Sequence, residues 1–214
     1  MAVKVKICGL MRREDVSAAA AAGASYLGVV FADGPRVVTL RQAAELVAAA
    51  RGTPVFGVFG DQTVTEILRI RERTGLLGAQ LHGSHHQKDA AELRAAGLTV
   101  WRVLRIAAPP DLDLLGESAG DADAVLVEPR VAHALGGTGV SLDLAVAREA
   151  RARLAGRTMV LAGGLTPDTV GPAVALVRPE AVDVSSGVER LPGIKDPDKI
   201  ARFLEAVFVH SPIS

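Results

Sequence analysis

The only cysteine of the chain stands at the end of its first apolar run, in Val3-Lys4-Val5-Lys6-Ile7-Cys8-Gly9. Lysines alternate with aliphatic residues before it, which is the two-residue period of a β-strand, and the glycine that follows is a frequent breaker. The pattern predicts that the Cys8 thiol lies at the carboxyl end of a first strand. A thiol in that place is either a lone core residue or a reactive group that acts as a nucleophile or a base.

Glycine-rich turns follow three strand-like runs in the second half of the chain. Glycine lets the backbone approach an anion closely, so that several N–H groups converge on it, and Ser and Thr hydroxyls add donors. One such turn alone is usually just a tight turn. Three of them at corresponding strand ends favour a phosphate site, with the candidate residues Gly137, Thr138, Gly139, Gly163, Gly164, Ser185, Ser186 and Gly187.

Polar side chains occupy the ends of other strand-like runs, where burial is unfavourable unless they are paired or line a cleft. Each also has a structural interpretation. Arg36 is otherwise a solvated loop residue, and His82 a hydrogen-bonded wall residue. Gln80 would then fix a neighbouring backbone group, and Asp183 would form a structural pair. The candidates for substrate contact and acid–base work are Arg36, Gln80, His82, Glu128 and Asp183.

The remaining titratable residues near these turns are interpreted as structural. Asp143, Glu189 and Lys195 are assigned to the surface or to bracing a loop. His85 and His86 follow the fourth strand-like run, and no metal-ligand spacing accompanies them, so both are predicted to be solvated. The sequence therefore predicts no metal site.

Eight strand-like runs alternate with helix-like segments, which predicts an α/β fold, a right-handed (β/α)8 TIM barrel in one domain spanning 1–214. Near-continuous Val, Ile and Leu is typical of parallel strands that are buried on both faces. Asp61 is a predicted helix N-cap, and the link 107–121 is the poorest helix. The predicted strands are 3–8, 26–31, 54–59, 77–82, 99–105, 122–128, 158–162 and 181–185, and the predicted helices are 13–22, 40–51, 62–74, 87–96, 141–154, 167–175 and 197–209.

Composition narrows the class of protein. The formal net charge is zero, which argues against nucleic acid or a polybasic membrane surface as the main partner. A single cysteine excludes an internal disulfide and favours a reducing compartment. No signal peptide is evident, and no apolar run reaches the ~18 residues of a membrane span. We expect a cytoplasmic protein.

The motifs together resemble phosphoribosylanthranilate isomerase, a (β/α)8 enzyme of tryptophan biosynthesis. The resemblance extends in order over nearly the whole chain. It rests on Val5-Lys6-Ile7-Cys8-Gly9, Gly23-Ala24-Ser25-Tyr26-Leu27-Gly28-Val29-Val30-Phe31, Gly57-Val58-Phe59, Gln80-Leu81-His82-Gly83, Gly136-Gly137-Thr138-Gly139, Leu161-Ala162-Gly163-Gly164-Leu165-Thr166-Pro167, Val182-Asp183-Val184-Ser185-Ser186-Gly187-Val188-Glu189 and Pro192-Gly193-Ile194-Lys195-Asp196.

The resemblance implies a cofactor-free Amadori rearrangement of a small phosphorylated substrate. The family's general base, a first-strand cysteine, maps onto Cys8, and its general acid, an aspartate that ends strand six, maps onto Glu128. Arg36 would lie near the anthranilate carboxylate, with Gln80, His82 and Asp183 on the same side, and the glycine-rich turns would hold the phosphate. The chain is expected to be a monomer or a homodimer.

Two departures from the family pattern lie on the substrate side of the pocket. Glu128 replaces the aspartate and precedes Pro129, and the loop Phe31-Ala32-Asp33-Gly34-Pro35-Arg36 is one residue shorter than the usual form. For the chemistry, the Glu128 pKa is expected to be raised by burial, and the Cys8 pKa to be lowered by a positive neighbour. Because both departures lie on the substrate side, two alternatives remain. One is a sugar-phosphate isomerase that accepts a different amine, and the other is a catalytically silent phosphate-binding homologue.

Overall fold

The computed structural model describes residues 2–107, 109–114, 120–130 and 142–212, which form a closed barrel of eight parallel strands. Each strand pairs with the next along the chain, and the last pairs with the first, so the (β/α)8 prediction is confirmed. The strands are β1 (Lys4–Ile7), β2 (Tyr26–Val30), β3 (Val55–Phe59), β4 (Gly78–Leu81), β5 (Thr99–Ile106), β6 (Ala124–Pro129), β7 (Met159–Leu161) and β8 (Ala181–Val184).

Helices connect the strands and pack against the outside of the barrel. In the β5–β6 connection, where the sequence predicted only a poor helix, the described residues form the 3-10 helix Pro109–Leu114. The α-helices of the described part of the chain are α1 (Arg13–Ala21), α2 (Leu40–Ala49), α3 (Val64–Thr74), α4 (Gln87–Ala95), α5 (Leu144–Arg153), α6 (Val170–Val177) and α7 (Pro197–His210).

The barrel wall separates two apolar clusters, because alternate residues of a strand point to opposite faces. The larger cluster lies between the outer face of the strands and the helices, and includes Val5 and Ile7 of β1. The smaller one fills the interior. Its buried members are Phe56, Trp101, Ala124, Leu126, Val160, Ala162 and Ala181. Lys4 and Lys6 alternate with the outer residues, so the inner face of β1 is polar.

One local prediction is wrong, and one element was missed. Helix α3 is capped by Thr63, not by Asp61: the Thr63 hydroxyl accepts from the Glu66 N–H and the Glu66 carboxylate accepts from the Thr63 N–H, a reciprocal capping box. After β8, a 3-10 turn (Ser186–Val188) leads into an antiparallel hairpin of β9 (Glu189–Leu191) and β10 (Ile194–Lys195), which the sequence did not predict.

Candidate active site

Cys8 lies directly after β1, at the carboxyl end of the barrel, as the sequence predicted. Its backbone N–H donates to the Val184 carbonyl at 2.8 Å, which ties it to β8, and the residue is only 6% exposed. Gly9 follows with φ +68°, and a Cβ there would lie 2.5 Å from Cδ of Arg36, so the turn requires glycine.

Burial raises the pKa of the Cys8 thiol, and the positive charge of Lys6 offsets only part of that effect. The Asp183 carboxylate raises this pKa further, while Lys195 lowers it slightly. The expected positive neighbour is present, but desolvation exceeds the attraction of the cations, so the thiol pKa is raised. Lowering of this pKa by the positive charge of the Schiff base stays a prediction.

Lys6 is fully buried inside the barrel, and sequence reasoning missed it as a site residue. Its Nζ donates to Asp183 Oδ1 at 2.8 Å and to Gln80 Oε1 at 2.9 Å. Burial by itself lowers the pKa of Lys6, yet the adjacent Asp183 carboxylate and Cys8 outweigh it and the pKa is raised. The available signal was the spacing of Lys6 and Cys8, since residues two apart on a strand share a face.

Gln80 and Asp183 are thus brought to the site, but around Lys6. Gln80 is buried and accepts a side-chain bond from Lys6, which corrects the structural interpretation that it fixes a backbone group. The Asp183 side chain is 11% exposed and pairs with Lys6 across the β1–β8 contact, where the two residues are in register. The structural-pair interpretation of Asp183 is confirmed.

Glu128 and His82 face each other at the ends of β6 and β4. His82 Nε2 lies 3.2 Å from Glu128 Oε1, and both residues are buried. Among the described residues, neither Glu128 Oε1 nor His82 Nδ1 has an aligned hydrogen-bond partner. The His82 carbonyl accepts from Arg105, which fixes the backbone of this strand end. A buried carboxylate with an unsatisfied oxygen is suited to meet a polar ligand atom.

Arg36 forms a bidentate ion pair with Glu189, in which Nε donates to Oε1 at 2.8 Å and Nη2 donates to Oε2 at 2.7 Å. Lys195 is fully buried and donates to the same Glu189 Oε1 at 2.8 Å and to the Ser185 carbonyl at 3.0 Å. Hydrogen bonding to Glu189 raises the pKa of Arg36, and burial lowers the pKa of Lys195.

This cluster corrects part of the earlier interpretation. Glu189 and Lys195 are buried, so a surface assignment is wrong, whereas a loop-bracing one is confirmed because they join the hairpin to the turn after β8. Although burial alone raises the pKa of Glu189, Arg36 and Lys195 outweigh it and the pKa is lowered. Asp143 is exposed and caps α5, as a bracing residue would.

The glycine turns after β7 and β8 are in contact. Gly163 and Gly164 have φ of +92° and +63°. A Cβ on Gly163 would overlap the ring of Pro129, and one on Gly187 would overlap the backbone carbonyl of Leu165. Positive φ therefore explains Gly163 and Gly164, and close packing explains Gly163 and Gly187. The third predicted turn, with Gly137, Thr138 and Gly139, lies outside the described residues.

The two histidines after β4 differ. His85 is buried with its Nε2 2.6 Å from the Gly60 carbonyl, so the prediction that it is solvated is wrong. His86 is exposed and precedes α4, as predicted. Among the described residues, no helix is both long and apolar enough to cross a membrane.

Comparison with known proteins gives consistent matches. Residues 5–206 match the family model of N-(5′-phosphoribosyl)anthranilate isomerase. The N-(5′-phosphoribosyl)anthranilate isomerase of Paracoccus denitrificans is 41% identical over 214 residues, covering 95% of this chain and 96% of that protein.

Solved structures agree with the sequence matches. A structure of monomers generated from the dimeric phosphoribosylanthranilate isomerase of Thermotoga maritima superposes with a TM-score of 0.83 at 30% identity, covering 96% of this chain and 98% of that one. A phosphoribosyl anthranilate isomerase in complex with reduced 1-(o-carboxyphenylamino)-1-deoxyribulose 5-phosphate gives 0.82 at 29% identity with the same coverage.

Proposed function

The chain belongs to the N-(5′-phosphoribosyl)anthranilate isomerase family, and we propose that it catalyses the Amadori rearrangement of N-(5′-phosphoribosyl)anthranilate in tryptophan biosynthesis. The product is 1-(2-carboxyphenylamino)-1-deoxyribulose 5-phosphate. The observation that carries the proposal is the placement of Cys8, Glu128 and the glycine turns at the ends of β1, β6, β7 and β8. That face of a barrel is where catalytic residues are found.

In this proposal Glu128 is the general acid. Its carboxyl proton goes to the furanose ring oxygen as the C1′–O bond breaks and the anthranilate nitrogen forms a Schiff base. Support comes from the burial of Glu128 and from its oxygen Oε1, which has no aligned partner in the part of the chain that the structure describes. His82, 3.2 Å from that oxygen, would hold the carboxyl in place.

Cys8 is the general base. Its thiolate removes the proton from C2′ of the Schiff base, and the resulting enolamine tautomerises to the ketone without any cofactor. The protonated Schiff base carries a positive charge, which favours the thiolate at the step that uses it. This charge would complement Lys6, since burial keeps the thiol pKa raised in the structure described above.

The turns Gly163–Gly164 and Ser185–Gly187 would bind the phosphate, together with Gly137, Thr138 and Gly139 from the third turn. Backbone N–H groups and the Ser185 and Ser186 hydroxyls are the kinds of donor that these turns contain. Contact between Gly187 and the Leu165 carbonyl supports this assignment, because it brings the two turns to one place.

Arg36 is proposed to face the substrate carboxylate with the edge that Glu189 does not use. Nε and Nη2 each donate one N–H to Glu189, so the N–H groups of Nη1 and the second N–H of Nη2 lie on the edge that Glu189 does not use. The ion pair with Glu189 supports a fixed orientation of Arg36 in this role, and Gln80 and Asp183 would act on the site through Lys6.

We further propose a cytoplasmic enzyme made of one barrel domain, a monomer or a homodimer, with a small phosphorylated molecule and no nucleic acid or membrane as its partner. The strands and helices from Lys4 to His210 all belong to or cover one barrel, which supports a single domain. The balanced charge of the chain supports the absence of a polyanionic partner.

Complementation of a tryptophan auxotroph that lacks this isomerase tests the proposal. We expect growth with the wild-type chain and none with Cys8→Ala, because a general base contributes roughly 10²–10⁴-fold to the rate. Expression of both chains is checked by immunoblot. Growth with both would remove Cys8 from the mechanism. Growth with neither would favour an isomerase for a different amine or a silent binding protein.

A further inference from the structure

Lys6 is a buried cation to which the mechanism above gives no defined task. It is a lysine with no exposed surface inside a barrel, where an ammonium group is strongly unfavourable unless it is paired. Its contacts include Asp183 Oδ1 at 2.8 Å, Gln80 Oε1 at 2.9 Å and the face of the Trp101 ring, 5.8 Å from the centroid. Stability alone does not account for a buried lysine here, because apolar residues would fill the same space without the free-energy cost of burying a charge.

The geometry places this ammonium beside the thiol. A Cβ built on Gly28 would lie 2.8 Å from Cys8 Sγ and 3.1 Å from Lys6 Nζ, so both atoms crowd the same point above β2. Glycine at position 28 leaves this space to Lys6 and Cys8. The two side chains point the same way from β1, because they are two residues apart.

We propose that Lys6 is a positioning residue for the isomerisation: its ammonium group, held by Asp183 and Gln80, is the resident counter-ion of the Cys8 thiolate. The proposal rests on the proposed function for its meaning in catalysis, but the charge pair is a property of the folded chain. In this proposal Lys6 acts on the reaction through the thiol of Cys8.

The other charges around the thiol are known from the structure. Asp183 on β8 opposes the thiolate, while Lys195 on β10 and Arg36 in the loop after β2 interact with it favourably. Gln80 on β4 is neutral. Lys6 and Asp183 are therefore two halves of one ion pair with opposite effects on the same thiol.

Because Lys6 and Asp183 have opposite effects on the ionisation of Cys8, the experiment compares variants of both residues. The chain has one cysteine, so thiolate absorbance at 240 nm, with the Cys8→Ala variant as blank, reports Cys8 alone as pH is raised. We expect Lys6→Met to move the midpoint upward by roughly one to three pH units, the range typical of a neighbouring charge. Asp183→Asn should move it downward. Lys4→Met, two residues away on the same strand and exposed, is the matched control and should leave it unchanged.

A structural role alone would disturb the site in one direction for both halves of the pair. Shifts of the same sign, no shift in Lys6→Met, or an equal shift in Lys4→Met would overturn the proposal. Where Lys6→Met folds poorly, Lys6→Met in the Asp183→Asn background must raise the midpoint relative to Asp183→Asn alone, and failure to do so counts equally against it.

Activity supplies an independent arm. The rise of kcat/KM with pH should move with the thiol midpoint in Lys6→Met and Asp183→Asn, because the thiolate is the working form. If Cys8→Ala stays fully active, the proposed base is wrong. The titration still decides whether Lys6 is the counter-ion.

Discussion

Two sides of the barrel mouth are built on different principles. On the base side, defined by Cys8, Lys6, Asp183 and Gln80, the Lys6 ammonium is paired at 2.8 and 2.9 Å. On the acid side, defined by Glu128 and His82, the buried atoms Glu128 Oε1 and His82 Nδ1 have no aligned partner among the described residues. Folding thus completes the polar contacts of the first and leaves those of the second to be completed.

The two sides differ in whether their buried polar atoms already have partners in the folded chain. An unsatisfied buried polar atom costs about 1–3 kcal/mol, so the acid side is the place where a ligand atom gains most by binding. On the base side, in contrast, the Lys6 ammonium is already in position beside the thiol, and in the proposed mechanism the charge of the Schiff base adds to its effect when the thiolate is used. The base side is preorganised and the acid side is receptive.

Glu128→Gln gives the largest expected effect on this contrast. Glutamine keeps the shape but carries no acidic proton, so kcat should fall about 10³-fold, within the range for loss of a general acid. The free energy of unfolding should change by less than about 1 kcal/mol, because the glutamine amide fills the same space and can still meet His82. Steady-state kinetics and urea unfolding of the same samples measure both, and an unchanged kcat would end the acid assignment.

Lys6→Met, unlike Glu128→Gln, should clearly lower the stability of the fold. Removing one member of a buried pair leaves Asp183 uncompensated and should lower the free energy of unfolding by about 3 kcal/mol. Lys6→Met combined with Asp183→Asn should recover most of this loss, since neutral replacements of both partners are often tolerated. Chemical denaturation of the two variants is the measurement. Equal instability of both would mean that packing, and not charge, holds this side together.

Glu128→Asp has the smallest expected effect and tests the fit of the longer acid. Aspartate retracts the carboxyl by about 1–1.5 Å, away from His82, and a misplacement of that size lowers rates by up to about 10²-fold. We expect roughly a tenfold lower kcat with little change in KM. A higher kcat than wild type would instead mark Glu128 as an impaired version of the family's aspartate.

Sequence patterns predicted the barrel well and the site only in part. Strand boundaries lie within one or two residues of those observed, because buried parallel strands are continuous apolar runs between breakers. The hairpin β9–β10 was missed because its strands have two or three residues, too few for a period. The cap of α3 was misplaced because Asp61 and Thr63 are both good N-caps, and only the capping box with Glu66 separates them.

The pairs that organise the site are those that a one-dimensional pattern does not contain. Lys6 and Asp183 are 177 residues apart, and Arg36 and Glu189 are 153 apart. The two-residue period predicts which face of β1 carries Lys6. Only closure of the barrel puts that face on the inside. His85 shows the same limit, because its partner is the Gly60 carbonyl on another loop.

The register of Lys6 with Asp183 lies on the seam where the first and last strands of the barrel join. A ribosome delivers these two residues at opposite ends of synthesis, so the thiol gains its cation in final geometry only after β8 has docked on β1. An open or partly assembled barrel therefore holds a cysteine without its anchored counter-ion. The ionisation of the Cys8 thiol therefore reports whether the barrel has closed between β1 and β8.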